Sequence, residues 1–157
     1  MKNNKYFLSL FSSLISIFFF IGCATKTTPV YVSIKSPKIR VSDAGFLKEG
    51  IGYKEIIIYK AGNAPVKFVL KENRICINDK CYNKFMFMKR YFRGYEKDFF
   101  DKILSKKPLS LKNLQKTKDG FIQKSKNIVY IVKENSVLFK DRKRHIIVFI
   151  KYLKERG

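Results

Sequence analysis

Three cysteines, one histidine and a short run of carboxylates are the side chains whose type and spacing could do chemistry in this 157-residue chain. Cys76 and Cys81 flank Ile77-Asn78-Asp79-Lys80. With Asn78-Asp79 as a two-residue hairpin turn, Ile77 faces Lys80 as a hydrogen-bonded pair and Cys76 faces Cys81 as the next, non-hydrogen-bonded one. Such a pair brings the Cα atoms to about 4.5 Å, within the span a disulfide accepts. The spacing therefore predicts a cross-strand disulfide, and a modest stabilisation because the loop it closes is short. The alternative, a redox or metal-binding pair, lacks the CxxC spacing and has only His145 to draw on. His145 stands beside Arg144 at the head of an apolar segment, with no partner for nucleophilic catalysis identifiable in the sequence, and reads as structural. Glu96, Asp98 and Asp101, with Lys97 and Lys102, read as the solvated face of a helix rather than as an acid pair of tuned acidity. Neither a P-loop nor an HExxH pattern occurs. The expectation is a protein with no catalytic residues, metal site or cofactor, and so not an enzyme.

Cys23 sits in a different setting. Lys2 and Lys5 precede an apolar stretch, Phe7 to Ile21, broken only by serines, and no acidic residue occurs before Asp43. That is the layout of an export signal. The stretch is about 15 residues long, short of the ~20 that span a bilayer as a helix, and it ends in Phe20-Ile21-Gly22-Cys23. This ending resembles the lipobox of bacterial lipoproteins, although Phe20 stands where Leu is usual. The resemblance implies cleavage before Cys23 and a diacylglyceryl group on its thiol, with the small Gly22 admitting the peptidase. The alternative is an uncleaved anchor helix in which Cys23 is an ordinary residue. Two or more acyl chains make a stable anchor, since each buried methylene contributes ~0.8 kcal/mol. Ala24 follows the cysteine where Asp would suggest inner-membrane retention in enteric bacteria, so the resemblance points to the periplasmic face of the outer membrane. Export also leaves Cys76 and Cys81 in an oxidising compartment.

These readings divide the chain into a signal peptide at 1–22, a lipidated polar tether at 23–29 and a single β-rich domain at 30–157, large enough for one core. Removing Lys2 and Lys5 with the signal leaves 32 basic against 12 acidic residues, a net charge of +20. In a cytoplasm that excess would suggest nucleic acid. An exported lipoprotein instead meets phosphate-bearing head groups, so anionic lipid or lipopolysaccharide is the partner class the charge suggests, and nucleic acid is not expected. A purely compositional origin of the lysines is the alternative, because they are scattered rather than clustered.

The elements that must position these residues follow from periodicity. From Val30 to Phe87 the pattern is mostly period two, as in Val30, Val32, Ile34 and in Val66, Phe68, Leu70, which predicts strands. Gly45 to Gly52 reads as a loop, and Gly62-Asn63 as a hairpin turn between the strands Tyr53–Lys60 and Pro65–Lys71. Tyr95, Phe99, Phe100, Ile103 and Leu104 then share one face of a helix running from about Tyr95 to Ser105 and ended by Pro108. A second short helical piece is read at Ser110 to Gln115, and Asp119-Gly120 turns the chain back into strands at Ile128–Val132, Val137–Phe139 and His145–Leu153. The fold class expected is mainly β: a single curved antiparallel sheet of seven to nine strands, or an incomplete barrel, with an inserted lid helix at about 95–105.

Aromatic density is high, with 15 Phe and 9 Tyr. Phe85, Phe87, Met88, Tyr95, Phe99, Phe100, Ile103 and Leu104 either fill the core between sheet and helix or line an apolar pocket under the lid, where Met suits mobile acyl chains. The order of elements, with Phe92-Arg93-Gly94-Tyr95 leading into the helix and Phe99 to Leu109 carrying it to a turn, resembles the LolB-type outer-membrane lipoprotein receptors over about Pro37 to Leu153. At Lys106 the family's turn would carry Gly, and early strands of the family are missing. The resemblance implies that acylated lipoproteins are received from a periplasmic carrier protein and released into the membrane. It also implies a membrane-inserting loop, placed at Phe46 and Leu47; the alternative is that both fold inward. Two other classes remain: a structural or assembly lipoprotein binding an outer-membrane complex through a sheet edge, with no apolar cavity, and a binder of lipopolysaccharide or anionic lipid through the lysine surface.

Overall fold

Alternating apolar and polar residues give eleven strands, and one sheet takes them all. The computed structural model describes residues 25–59 and 64–154. In chain order these form β1 (Lys26–Lys35), β2 (Arg40–Gly50), β3 (Tyr53–Ile58), β4 (Val66–Lys71), β5 (Arg74–Ile77) and β6 (Lys80–Asn83). Two short helices follow, α1 (Lys84–Tyr91) and α2 (Phe99–Leu104). The chain then returns as β7 (Leu114–Thr117), β8 (Gly120–Lys124), β9 (Ile128–Lys133), β10 (Ser136–Asp141) and β11 (Ile146–Tyr152). The spatial order is β6-β5-β4-β3-β2-β1-β11-β10-β9-β8-β7, antiparallel throughout and not closed. Two meanders are thus joined where β1 pairs with β11, Val32 opposite Ile150 and Ile34 opposite Val148.

One face of this sheet is the core. Val30, Val32, Ile34, Ile58, Val137, Phe139 and Val148 are fully buried on it, and burying an aliphatic or aromatic side chain of this size contributes roughly 1.5–3 kcal/mol. Ser105, just after α2, accepts from Lys54 of β3, and Phe99 within it packs on Phe139 of β10. Those two strands lie four neighbours apart in the sheet, about 19 Å along a flat one, so the sheet curves around the helix. Gly45 marks where β2 passes close to β3: a Cβ there would lie 2.0 Å from the Ile57 carbonyl oxygen.

The expected mainly β fold, single open sheet and lid are present, with five differences. The sheet has eleven strands rather than seven to nine, in part because β7 stands where a helical piece is expected. Gly45 to Gly52 is no loop: β2 runs through to Gly50, and only Ile51-Gly52 turns, with Gly52 at φ 75°. The polar tether does not extend to Pro29, because Lys26 to Pro29 already pair with Phe46 to Glu49 of β2. Pro29 is tolerated there because its carbonyl accepts from Leu153, one residue past β11, so its missing N–H falls where the ladder with β11 ends. The lid is two helices, not one: Arg93 and Gly94, both at positive φ, separate them, and α2 begins only at Phe99. Ser110 to Gln115 forms a turn and the start of β7 rather than a helix. The export signal, Cys23 and the Gly62-Asn63 turn lie outside the described residues.

Candidate functional site

The concave side of the sheet under the helices is the candidate site, and it is built from the chain outward. Asn83 ends β6 and its side chain accepts from the Phe85 N–H, so the strand turns straight into α1. Lys84, Phe87 and Met88 then face inward and Phe85 and Met86 outward. Phe92 follows, packing edge-on against Phe100 at 4.8 Å between ring centroids. The left-handed pair Arg93-Gly94 swings Tyr95 back across the sheet, where its ring meets Phe139 at 5.4 Å, and Phe99 meets the same ring at 4.8 Å. Tyr130 and Phe121 complete the aromatic floor.

Of the pocket residues expected from sequence, Phe87, Met88, Phe99, Phe100, Ile103 and Leu104 are brought together in the core, and Tyr95 packs against it half-buried. Phe85 is not among them: it is 61% exposed on the far face of α1. The interior these residues share is filled by their own side chains. Leu47 and Phe46 divide between the two alternatives that the sequence leaves open. Leu47 is a buried strand residue facing the core, while Phe46 lies on the outer face of β2 against the Tyr59 ring.

Polar contacts fasten the helices at their rims. Lys84 pairs with Asp101 at 2.6 Å, joining α1 to α2. The Tyr95 hydroxyl donates to the buried Asp141 carboxylate, which also accepts from the Arg144 N–H and faces its guanidinium. Burial alone would raise Asp141, but the Tyr95 hydroxyl and Arg144 together hold it below the usual carboxylate range. Burial and this bond to Asp141 push the Tyr95 hydroxyl well up. Lys102 gathers Glu96 and Asp98 at 2.9 and 3.0 Å, so two of the carboxylates read as a solvated face are the collar of one lysine. Beyond α2, the Tyr130 hydroxyl donates to the Lys107 carbonyl, and the buried Gln123 amide accepts from the Leu109 N–H and donates to the Ser110 and Lys112 carbonyls.

One end of the sheet carries an opening beside Leu104. A cavity of about 440 Å³ opens there, lined by Lys26, Thr28, Glu49, Lys54, Leu104, Ser105, Lys106 and Tyr152. Lys106 stands over the Tyr152 ring at 4.1 Å; burial lowers this lysine and pushes the Tyr152 hydroxyl up to about 12. At the same end of the sheet Ile51 projects from the β2–β3 turn, 85% exposed. Sequence reasoning missed it, although an isoleucine between Gly50 and Gly52 is itself a signal of an apolar side chain on a turn. His145 lies at the opposite end, exposed in the β10–β11 turn at φ 56° and one residue short of the strand it was expected to begin. The expected disulfide joins Cys76 to Cys81 across the β5–β6 hairpin. No protein-family model matches the chain, and no curated protein matches it.

Proposed function

We propose that the chain is a non-enzymatic lipoprotein, tethered through Cys23 to the periplasmic face of the outer membrane, that takes acylated molecules onto the concave face of its sheet. Lipoproteins passed on by a periplasmic carrier are the ligands it fits best, in the manner of the LolB-type receptors. The observation that carries this reading is the lid. An apolar sheet face, its buried side chains drawn from β1 to β5 and β9 to β11, packs against two short helices held at the rim by polar contacts. The filled interior is the lid-closed arrangement, and acyl chains replace helix side chains when the lid lifts. The lysine-lined opening beside Leu104 is the route in. Ile51 takes the membrane-facing role that the sequence suggested for Phe46 and Leu47, because it is the exposed apolar residue on a turn between early strands.

The test is a diacylated peptide with a photoreactive acyl chain, presented to the protein in lipid nanodiscs. Crosslinks to Phe99, Leu104 and Phe139 are expected. Labelling confined to Ile51 and other exposed residues would sink the acyl-ligand reading.

The filled interior favours a second reading, a structural or assembly lipoprotein that binds no acyl chain. Its docking edge would be β6 or β7, each four residues long; the second carries Lys116 and is followed by Lys118. Short, lysine-bearing edges are the kind that resist strand addition. Under this reading the photoreactive peptide labels nothing inside, and a protein partner co-purifies instead.

A further inference from the structure

The end of the sheet farthest from Ile51 carries a second cavity that shares no residue with the lysine-lined opening. It is a cleft of about 450 Å³ between the β1–β2 and β10–β11 turns, lined by Lys35, Arg40, Lys140, Arg142, His145 and Ile147, with Asp141 at its back. Three of its cations stand in one cross-strand row on the outer face: Arg40 opposite Lys35, Lys35 opposite Ile147, and Ile147 opposite Lys140. Like charges directly opposite one another destabilise a sheet. Among the described residues no acid pairs with Lys35 or Arg40, and neither Lys140 nor Arg142 forms an ion pair either. Asp141, the one carboxylate in the lining, is turned inward to Tyr95 and Arg144.

We propose that this cleft binds a phosphate-bearing anion with more than one negative charge. The row from Arg40 to Lys140 spans about three strand spacings, roughly 14 Å, so long side chains from both ends can close on a diphosphate-sized group. Arg40 and Arg142 supply planar forks that match phosphate oxygens, and Ile147 gives the cleft an apolar wall. The site stands independently of the acyl-ligand reading, because it lies at the other end of the sheet and needs no movement of the lid. A phosphorylated lipid head group and a free diphosphate share this chemistry.

His145 makes the test direct, since it is the chain's only histidine and its ring C–H resonances are assigned without ambiguity. The full chain, held in a neutral detergent, is titrated with inorganic pyrophosphate. The expected result is saturable binding that moves the His145 resonance. In Lys35→Gln/Arg40→Gln the affinity should fall by about tenfold or more, as loss of two charge-assisted contacts implies. Lys116→Gln/Lys118→Gln removes the same charge from the β7–β8 hairpin and should change affinity by less than about twofold. Equal losses in the two double variants, or binding that leaves His145 unmoved, would overturn the proposal by reducing it to general attraction to a basic protein. A second arm uses phosphatidylcholine vesicles with and without phosphatidic acid. Binding to the acidic vesicles that is lost in Lys35→Gln/Arg40→Gln assigns a lipid head group, and binding of pyrophosphate alone assigns a free phosphate ligand.

Discussion

Asp141 ties the lid, through Tyr95 46 residues earlier, to the β10–β11 turn, through Arg144, and to the lining of the cationic cleft. A carboxylate 2% exposed and bound by a hydroxyl, an amide and a guanidinium is stable as the anion. Tyr95→Phe removes one of those donors and keeps the ring against Phe139 and Phe99. It should destabilise the fold by about 1–3 kcal/mol at neutral pH, the usual loss when a buried charged acceptor loses a partner. The sign with pH follows from the lowered pKa of Asp141. Its contribution is complete above the ordinary carboxylate range and is lost as pH falls through the lower folded value. Urea unfolding of wild type and Tyr95→Phe should therefore give midpoints that differ most at neutral pH and converge in acid. A gap that persists or widens in acid would assign the loss to packing instead. At this scale the sequence was legible where pairing geometry dictated the answer: the Cys76–Cys81 disulfide follows from a two-residue turn alone, and Cys76 lies opposite Cys81 as that turn requires. Asp141 was not legible, because its partner Tyr95 lies 46 residues away.

The elements show which patterns a sequence can carry. Strand alternation was plain wherever one face met the core, as in Val137, Phe139 and Asp141 of β10. In α1 the exposed Phe85 and Met86 hid the inward set Lys84, Phe87 and Met88, whose i, i+3, i+4 spacing is helical. Gly45 was read as loop because glycine usually breaks strands, whereas here it lets β3 approach β2. The lid itself offers a sharper test of what it covers. Phe99 is 1% exposed and touches Tyr95, Phe92, Phe100 and Phe139. Phe99→Ala should cost about 3–5 kcal/mol and leave an apolar void under α2. If acyl chains are the natural occupants of this space, a medium-chain fatty acid should refill the void and raise the midpoint of the variant, by an amount that grows with ligand concentration as linkage requires. Wild type, with its lid closed, should gain less. A variant whose unfolding midpoint ignores the fatty acid would show that the space under α2 does not accept acyl chains.

The whole molecule has two unlike ends. With Cys23 lipidated as proposed, only Ala24 and Thr25 separate it from the first residue of β1, so the anchor lies within about 10 Å of the sheet. That end carries Ile51 and the lysine-lined opening; the other carries the cationic cleft, ten strand residues or about 33 Å away along β1. Under the proposed function such an anchor would set the direction of the domain: Ile51 toward the bilayer, the cleft away from it. Ile51→Glu tests that orientation without disturbing the fold, since a residue 85% exposed on a turn should change stability by no more than about 0.5 kcal/mol. Leu47→Glu cannot serve, because it would bury an unpaired carboxylate in the core. Phe46→Glu is the matched control, adding the same charge to the flank of β2 where Phe46 is 39% exposed. Transfer of a fluorescent lipoprotein from the protein to vesicles should slow by roughly tenfold in Ile51→Glu, the effect of about 1.4 kcal/mol on a rate, and hold near wild type in Phe46→Glu. Acyl-ligand binding should be unchanged in both, because neither residue faces the interior. If Phe46→Glu slows transfer and Ile51→Glu does not, the domain lies on its flank, and the outer face of β2 rather than the β2–β3 turn meets the membrane.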